Sequence, residues 1–292
     1  MKVLVLGASG MLGNAMLQVL AEYSGWDVFG TVRSDSIKES FPLHMANKLI
    51  SGVDVNNTEV LSDCIKSLSP DVVINCVGVT KHLPNADDPL VTIPINALLP
   101  HQLAKICAET GSRVVHISTD CVFSGLKGNY NEQDKVDATD LYGLSKYLGE
   151  LHSENCITLR TSIIGHELTT RYGLLEWFLS QKGSCKGFTH AIFSGLPTVI
   201  LAQIVHDIVI PRPDLKGLYH VAAKPISKYD LLKIIATVYK KNIEIIPDDN
   251  LVIDRSLNSD YFVSATGYSA PEWPDLIASM YSYHKKQDEE HV

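Results

Sequence analysis

"KVLVLGASGMLG", residues 2 to 13, joins a short apolar run to a helical pattern through Gly7, Gly10 and Gly13. A strand that turns sharply into a helix and lets an anion approach its backbone needs glycine at such points. The free N–H groups of the helix start then hold a diphosphate. The spacing alone is a weak signal. Its place at the head of a strand–helix–strand unit makes it a dinucleotide-binding reading rather than a tight turn without a ligand.

Outward from that stretch, strands and helices alternate. "WDVFGTV", "PDVVINCVG", "SRVVHIS" and "CITLRTS" read as strands. "NTEVLSDCIKSL" (capped by Asn57), "ALLPHQLAKICAET" and "YGLSKYLGELHSE" read as helices. Strands that are apolar throughout are those of a parallel sheet covered on both faces. The expected fold is therefore α/β: a Rossmann-type doubly wound parallel sheet with a smaller α/β C-terminal substrate lobe. Residues 1–165 form the nucleotide unit. Residues 166–286 form the lobe, with segments around 198–224 free to pack back on the sheet, and 287–292 are expected as a disordered tail. In the lobe, "PTVILAQIVHDIV" and "SKYDLLKIIATVY" (Ser227 as N-cap, Asp230 three residues on) read as helices, as does a last segment from Pro271.

Composition narrows the function classes. A net charge of −8 with scattered lysines and arginines gives no basic face for nucleic acid. No apolar run reaches the ~18 residues of a membrane helix. The six cysteines are widely spaced without a C-x-x-C pair, which reads as reduced thiols in a cytoplasmic protein. The eleven histidines show no metal-ligand spacing, so no metal is expected. His116, on an apolar strand, reads as a core histidine.

About 20 residues past the third glycine, an NAD-binding unit places an acid on the ribose. Here "TVRSD" puts Arg33 and Ser34 at that point. A guanidinium suits a 2′-phosphate, so NADP(H) is the expected cofactor, with NADPH preferred; the alternative is a solvated arginine. Asp54 either holds an adenine amino group or caps the next helix. At the carboxyl edge of the sheet, "STD" supplies Ser118, Thr119 and Asp120. "NCVG" ends the preceding strand, and Asn96 lies early in the following helix. Tyr142 and Lys146 stand at i and i+4 on one helix face. A phenol of pKa about 10 is a sluggish proton donor near neutrality, and a nearby ammonium favours its phenolate.

Together the glycines, Asn96, Thr119, Tyr142 and Lys146 resemble the extended short-chain dehydrogenase/reductases. The finer pattern, "ISTDCVFSG" followed by "LYGLSKYLGE", is similar to the dTDP-4-dehydrorhamnose reductase group, as are "INALLPHQLA", "SGLPT" and "DRSLNSDYF". The resemblance implies Tyr142 as general acid, Lys146 on the nicotinamide ribose and lowering the phenol pKa, and Thr119 on the substrate carbonyl. It implies cofactor contacts from Gly7, Ser9, Gly10, Met11 and Leu12, from Arg33, Ser34, Asp54 and Val55, and from Cys76, Val77, Gly78 and Thr80. Asn96, Ser118 and Thr161 complete the cofactor set, beside Tyr142 and Lys146. Substrate contacts fall to Thr119, Asp120, His82 and Arg255. Lys81 and His82 are otherwise a solvated loop, and Arg255 either clamps a substrate diphosphate or pairs with a carboxylate.

The implied activity is NADPH-dependent reduction of the 4-keto group of a nucleotide-activated deoxysugar, for surface-polysaccharide precursors, in a possible homodimer. The departures lie on the substrate side: "KHLPNADDPL" follows "NCVGVT", and Ile163 follows Ser162 where the rhamnose enzymes carry an aromatic. They leave the particular sugar open. Two other readings share the fold: a non-catalytic NADP-binding regulatory subunit like methionine adenosyltransferase β, and a sugar-nucleotide epimerase.

Overall fold

A computed structural model describes residues 1–81 and 83–290. Strand β1 (Lys2–Leu6) shows how the sheet is covered on both sides. Val3 and Val5 enter one hydrophobic core and Leu4 and Leu6 the other, all four fully buried. This period of two, with both phases apolar, makes the strand a continuous hydrophobic run. Helix α1 (Met11–Ala21) follows, then β2 (Asp27–Thr31), α2 (Leu43–Ala46) and β3 (Leu49–Ile50). Helix α3 (Thr58–Leu68) is capped by Asn57, whose Oδ1 accepts from the N–H groups of Glu59 and Val60. After β4 (Val72–Asn75), α4 (Pro89–Ile93) runs through a π-turn at Pro94–Leu98 into α5 (Leu99–Thr110). Then come β5 (Arg113–Thr119), α6 (Leu141–Leu148) and β6 (Cys156–Thr161).

The central sheet has the order β3-β2-β1-β4-β5-β6, extended past β6 by the strand Gly217–His220, and every pairing is parallel. The expected doubly wound sheet is present. Its order reverses between β1 and β4, which opens a crevice at the carboxyl edge between their following loops.

The C-terminal half forms three small sheets. Ser184–Phe188 pairs with Glu244–Asp248, and Ile163–Ile164 with Leu196–Pro197. Ala191–Phe193 lies between Ile226–Ser227 and Ile253–Asp254. Helix Thr198–Ile204 packs against α1, and the Lys228–Val238 helix packs against the last helix. Ser227 Oγ caps Lys228–Val238 by accepting from Asp230 N at 3.0 Å. The last helix begins at Trp273 and continues to Glu290. Residues 287–290 are thus helical, not the disordered tail expected: Gln287 Nε2 donates to Gln18 Oε1 on α1 at 2.6 Å, and that docking extends the helix. Residues 291 and 292 lie outside the described residues. No helix among the described residues is long and apolar enough to cross a membrane. All six cysteines are free.

Candidate active site

The glycine loop closes on itself at the head of α1. Gly10 N donates to Gly7 O at 3.0 Å, and a Cβ on Gly13 would stand 2.0 Å from Gly7 O. Only glycine lets α1 sit this close to β1. Gly10 is the N-cap residue and offers no side-chain cap, so no capping side chain occupies the N–H groups at the start of α1 and they are open to an anion. These features fit a diphosphate.

At the end of β2, Arg33 and Ser34 are exposed. Ser34 Oγ accepts from Ser36 N at 3.3 Å, while the Arg33 guanidinium has no hydrogen-bond or ion-pair partner among the described residues. Asp54 Oδ1 accepts from Asn56 N at 3.0 Å and forms a local turn, and Asn57, not Asp54, caps α3. Val55 beside it is buried.

The loop after β4 carries Cys76 to Thr80. Asn96, on the π-turn, holds this loop from behind: its Oδ1 accepts from Val79 N and its Nδ2 donates to Val79 O, both at 2.9 Å, with a further bond to Ser145 Oγ at 3.2 Å. With its amide committed and 1% exposed, Asn96 holds the loop of Cys76 to Thr80 in place. Ser118 donates to buried Glu150 at 2.7 Å, while the next residue, Thr119, faces the other side of the sheet, because alternate residues of β5 face opposite sides. Thr161, at the end of β6, donates to Ser162 O at 3.1 Å.

Thr119, Tyr142 and Lys146 come together at the carboxyl edge. Helix α6 is capped by Asp140, whose Oδ1 accepts from Gly143 N at 2.7 Å. A Cβ on Gly143 would meet Cys121 O at 2.3 Å, so the glycine after Tyr142 lets α6 press against the turn that follows Thr119. Lys146 is 6% exposed and its Nζ donates to Ile117 O on β5 at 2.7 Å. Burial lowers its pKa to about 8, with Glu150 and Cys76 pulling the other way. Burial, followed by Cys121, pushes the Tyr142 phenol above its ordinary value, while the adjacent Thr119 hydroxyl opposes the shift. The expected lowering by Lys146 does not dominate, since the ammonium is turned to a backbone carbonyl and the phenol is desolvated. Thr119 Oγ1 accepts from Cys121 N at 3.1 Å and donates to Asp120 Oδ1 at 3.2 Å. Asp120 is raised by burial, against Arg255 and Lys81.

Arg255 reaches this edge from the C-terminal half. Its Nε donates to Phe123 O at 2.7 Å and its Nη1 to Cys121 Sγ at 3.7 Å, and it forms no carboxylate pair among the described residues. His82 lies outside the described residues. His116 is fully buried with Nδ1 against Asn75 Nδ2 at 3.2 Å, and its Nε2 has no partner. Burial holds this ring well below the ordinary histidine pKa, hence neutral. Among the described residues, no group of three or more His, Cys, Asp or Glu is placed to hold a metal ion.

Two residues at this edge escaped the sequence reading. Glu150 stands four residues past Lys146, a spacing that could have revealed it. Lys228 lies in the field of Asp120, Cys121, Lys81 and Arg255, and nothing local marks it.

A doubly wound nucleotide-binding sheet with a threonine, a tyrosine and a lysine at its carboxyl edge defines a short-chain dehydrogenase/reductase architecture. Residues 1–251 match the family model described as RmlD substrate binding domain, and the chain belongs to that family. It is 26% identical over 264 residues to a dTDP-4-dehydrorhamnose reductase of Aggregatibacter actinomycetemcomitans, a match covering 86% of this chain and 84% of that protein. A protein of Haloferax volcanii named "Probable low-salt glycan biosynthesis reductase Agl14" is 33% identical over 147 residues. That match spans 50% of this chain and 46% of the relative, about half of each. Among solved structures, a Bacillus anthracis dTDP-4-dehydrorhamnose reductase in complex with NADP superposes with a TM-score of 0.79 at 20% identity, covering 97% of this chain and 99% of that one. This last likeness concerns the fold.

Proposed function

We propose that the protein is an NADPH-dependent reductase of the 4-keto group of a nucleotide-activated deoxysugar, serving surface-polysaccharide precursor synthesis in the cytoplasm. The observation that carries this reading is the convergence of Thr119, Tyr142 and Lys146 on one edge, beside a glycine loop fitted to a diphosphate. NADPH supplies the hydride. Tyr142, protonated throughout the physiological range, gives its proton to the carbonyl oxygen as negative charge builds there. Thr119 donates a hydrogen bond to the same oxygen, in place of its bond to Asp120. Lys146 holds the nicotinamide ribose and, while charged, favours proton release from the phenol. Arg33 supports the 2′-phosphate and Asn96 fixes the loop of Cys76 to Thr80.

A homodimer is supported by exposed apolar side chains on neighbouring helices, Leu98 (53%), Leu144 (41%) and Leu148 (60%), and sedimentation velocity tests it. The function is tested by a screen of dTDP-, UDP- and GDP-4-keto sugars for NADPH oxidation. Turnover of one of them is the expected result. Tight NADPH binding with no turnover of any, and co-purification with a stoichiometric partner, would transfer the chain to the regulatory class.

A further inference from the structure

Met11 and Asn14, one turn apart on α1, lie on the helix face opposite Gly13, which rests against Gly7 just past β1. They form one wall of a cavity of about 330 Å³. Met280, His284 and Gln287, at i, i+4 and i+7 on the last helix, form another, and Leu168 and Val199 add apolar surface between them. The glycine loop opens at the head of α1, whereas this cavity runs along the helix flank. It is large enough for a small organic molecule.

Its walls are held from behind. The His166 ring, which lines the cavity, meets Glu176 Oε1 with Nδ1 at 2.7 Å and Tyr239 OH with Nε2 at 2.9 Å, and it stacks on His284 at 3.5 Å between centroids. Three amides run in one direction toward the cavity. Gln287 Nε2 donates to Gln18 Oε1 at 2.6 Å, and Gln18 Nε2 donates to Asn14 Oδ1 at 2.9 Å. This order fixes the Asn14 amide with its oxygen toward Gln18 and its NH₂ away from it. Asn14 is 8% exposed, and its Nδ2 has no hydrogen-bond partner among the described residues. A buried donor left unmet is costly, so a wall that ends in one is complete only with an acceptor. No lysine or arginine lines the cavity among the described residues, and the Glu167 carboxylate does, which disfavours an anion.

We propose that this cavity binds an uncharged ring compound that carries an amide edge, the grouping of a nucleobase or a carboxamide. The ligand carbonyl accepts from Asn14 Nδ2. Its neighbouring N–H donates to the second lone pair of Asn14 Oδ1, and the ring packs on Met11, Leu168, Val199 and Met280. Nothing in this site depends on the reductase reading.

The test is ligand-observed NMR titration of the protein saturated with NADP⁺, so that the glycine loop is filled before any probe is added. Uracil, 2-pyridone and nicotinamide carry the amide edge. Benzene offers a ring without it, and benzoate offers acceptor oxygens with a charge. At least one amide should bind, more tightly than either control. Asn14→Leu keeps the shape and removes the donor, and it should weaken that amide about fivefold or more, the value of one hydrogen bond. Leu168→Trp fills the cavity from the segment after Ile163–Ile164 and should abolish binding while NADP⁺ affinity stays at the wild-type value. It carries the test alone if Asn14→Leu fails to fold, beside a crystal structure of the bound amide with its carbonyl on Asn14 Nδ2. Binding of none of the amides, benzene binding as tightly as they do, unchanged affinity in Leu168→Trp, or water alone in the cavity of the crystal would overturn the site. No turnover enters these readouts, so a failed keto-sugar screen leaves the result standing.

Discussion

Arg160 grips Glu150 through two hydrogen bonds of 2.6 Å, from Nε and Nη2, with both side chains buried. Glu150 follows Lys146 by one helical turn and also accepts from Ser118. On the far side, Arg160 Nη1 meets His220 Nε2 at 3.2 Å, and His220 Nδ1 meets Tyr130 O at 3.0 Å. Burial, then Arg160, lowers His220 to about 3, so the ring is neutral, with Nδ1 donating and Nε2 accepting. Removing one member of a buried ion pair strands the other charge. Glu150→Gln should therefore lose ~3–5 kcal/mol of unfolding free energy in urea titration. It should also drop the Lys146 pKa further, because Glu150 counters the effect of burial. A loss under ~1 kcal/mol would mean that the pair contributes no more than a surface one.

The Lys146 pKa of about 8 sets the pH dependence. Below that value the ammonium is charged and, in the proposed mechanism, supports both ribose binding and the phenol. Above it the charge is lost, so kcat/KM should be level on the acid side and fall as pH rises through about 8. Tyr142 is shifted upward and adds no limb there. Lys146→Arg should flatten the alkaline fall while lowering the plateau; a fall that persists would assign it to another group. For stability the sign is the opposite. Between about 8 and the ordinary lysine value of about 10.4, the unfolded chain binds more protons than the folded one, so this group's contribution rises with pH.

Tyr142→Phe removes one oxygen and leaves the ring against Thr119. NADPH affinity should persist and kcat should fall by roughly 10²–10⁴, the usual contribution of general acid catalysis. Thr119→Val should act on kcat more than on KM. Steady-state kinetics beside cofactor titrations checks both, and near-wild-type turnover in Tyr142→Phe would remove the phenol from the mechanism.

Arg33 stands exposed at the end of β2 with no partner for its guanidinium among the described residues. If it grips a 2′-phosphate, NADPH should bind more tightly than NADH by about ten- to a hundredfold, the value of a charged hydrogen bond. Arg33→Asp should narrow or invert that preference. Equal affinities of the wild type for both cofactors would return Arg33 to solvent.

Asn96→Ala leaves Val79 N–H without its acceptor in a buried position. The expected cost is ~1–3 kcal/mol in unfolding free energy. NADPH affinity should fall as well, because the loop of Cys76 to Thr80 loosens. If affinity were unchanged, the loop would be held by other means.

The sheet was legible because its signals are local. Val3 to Leu6 are apolar in both phases, Gly7 and Gly13 mark the turn into α1, and Asn57 and Ser227 are caps that act within three residues. Thr119, Tyr142 and Lys146 were legible for a related reason: a helix face fixes i and i+4, and the end of a parallel strand fixes the edge. The tail after Gln287 was misread because its helix is held by Gln18, across the fold. The side chains of Asn96 and Ser118 turn to Val79 and Glu150, a choice set by the π-turn and by the strand's alternation, which position in the sequence does not record. Chain folding alone brings Lys81 and Arg255 to Cys121. Charge acts through space, and no spacing along the chain records which distant cations share a cleft.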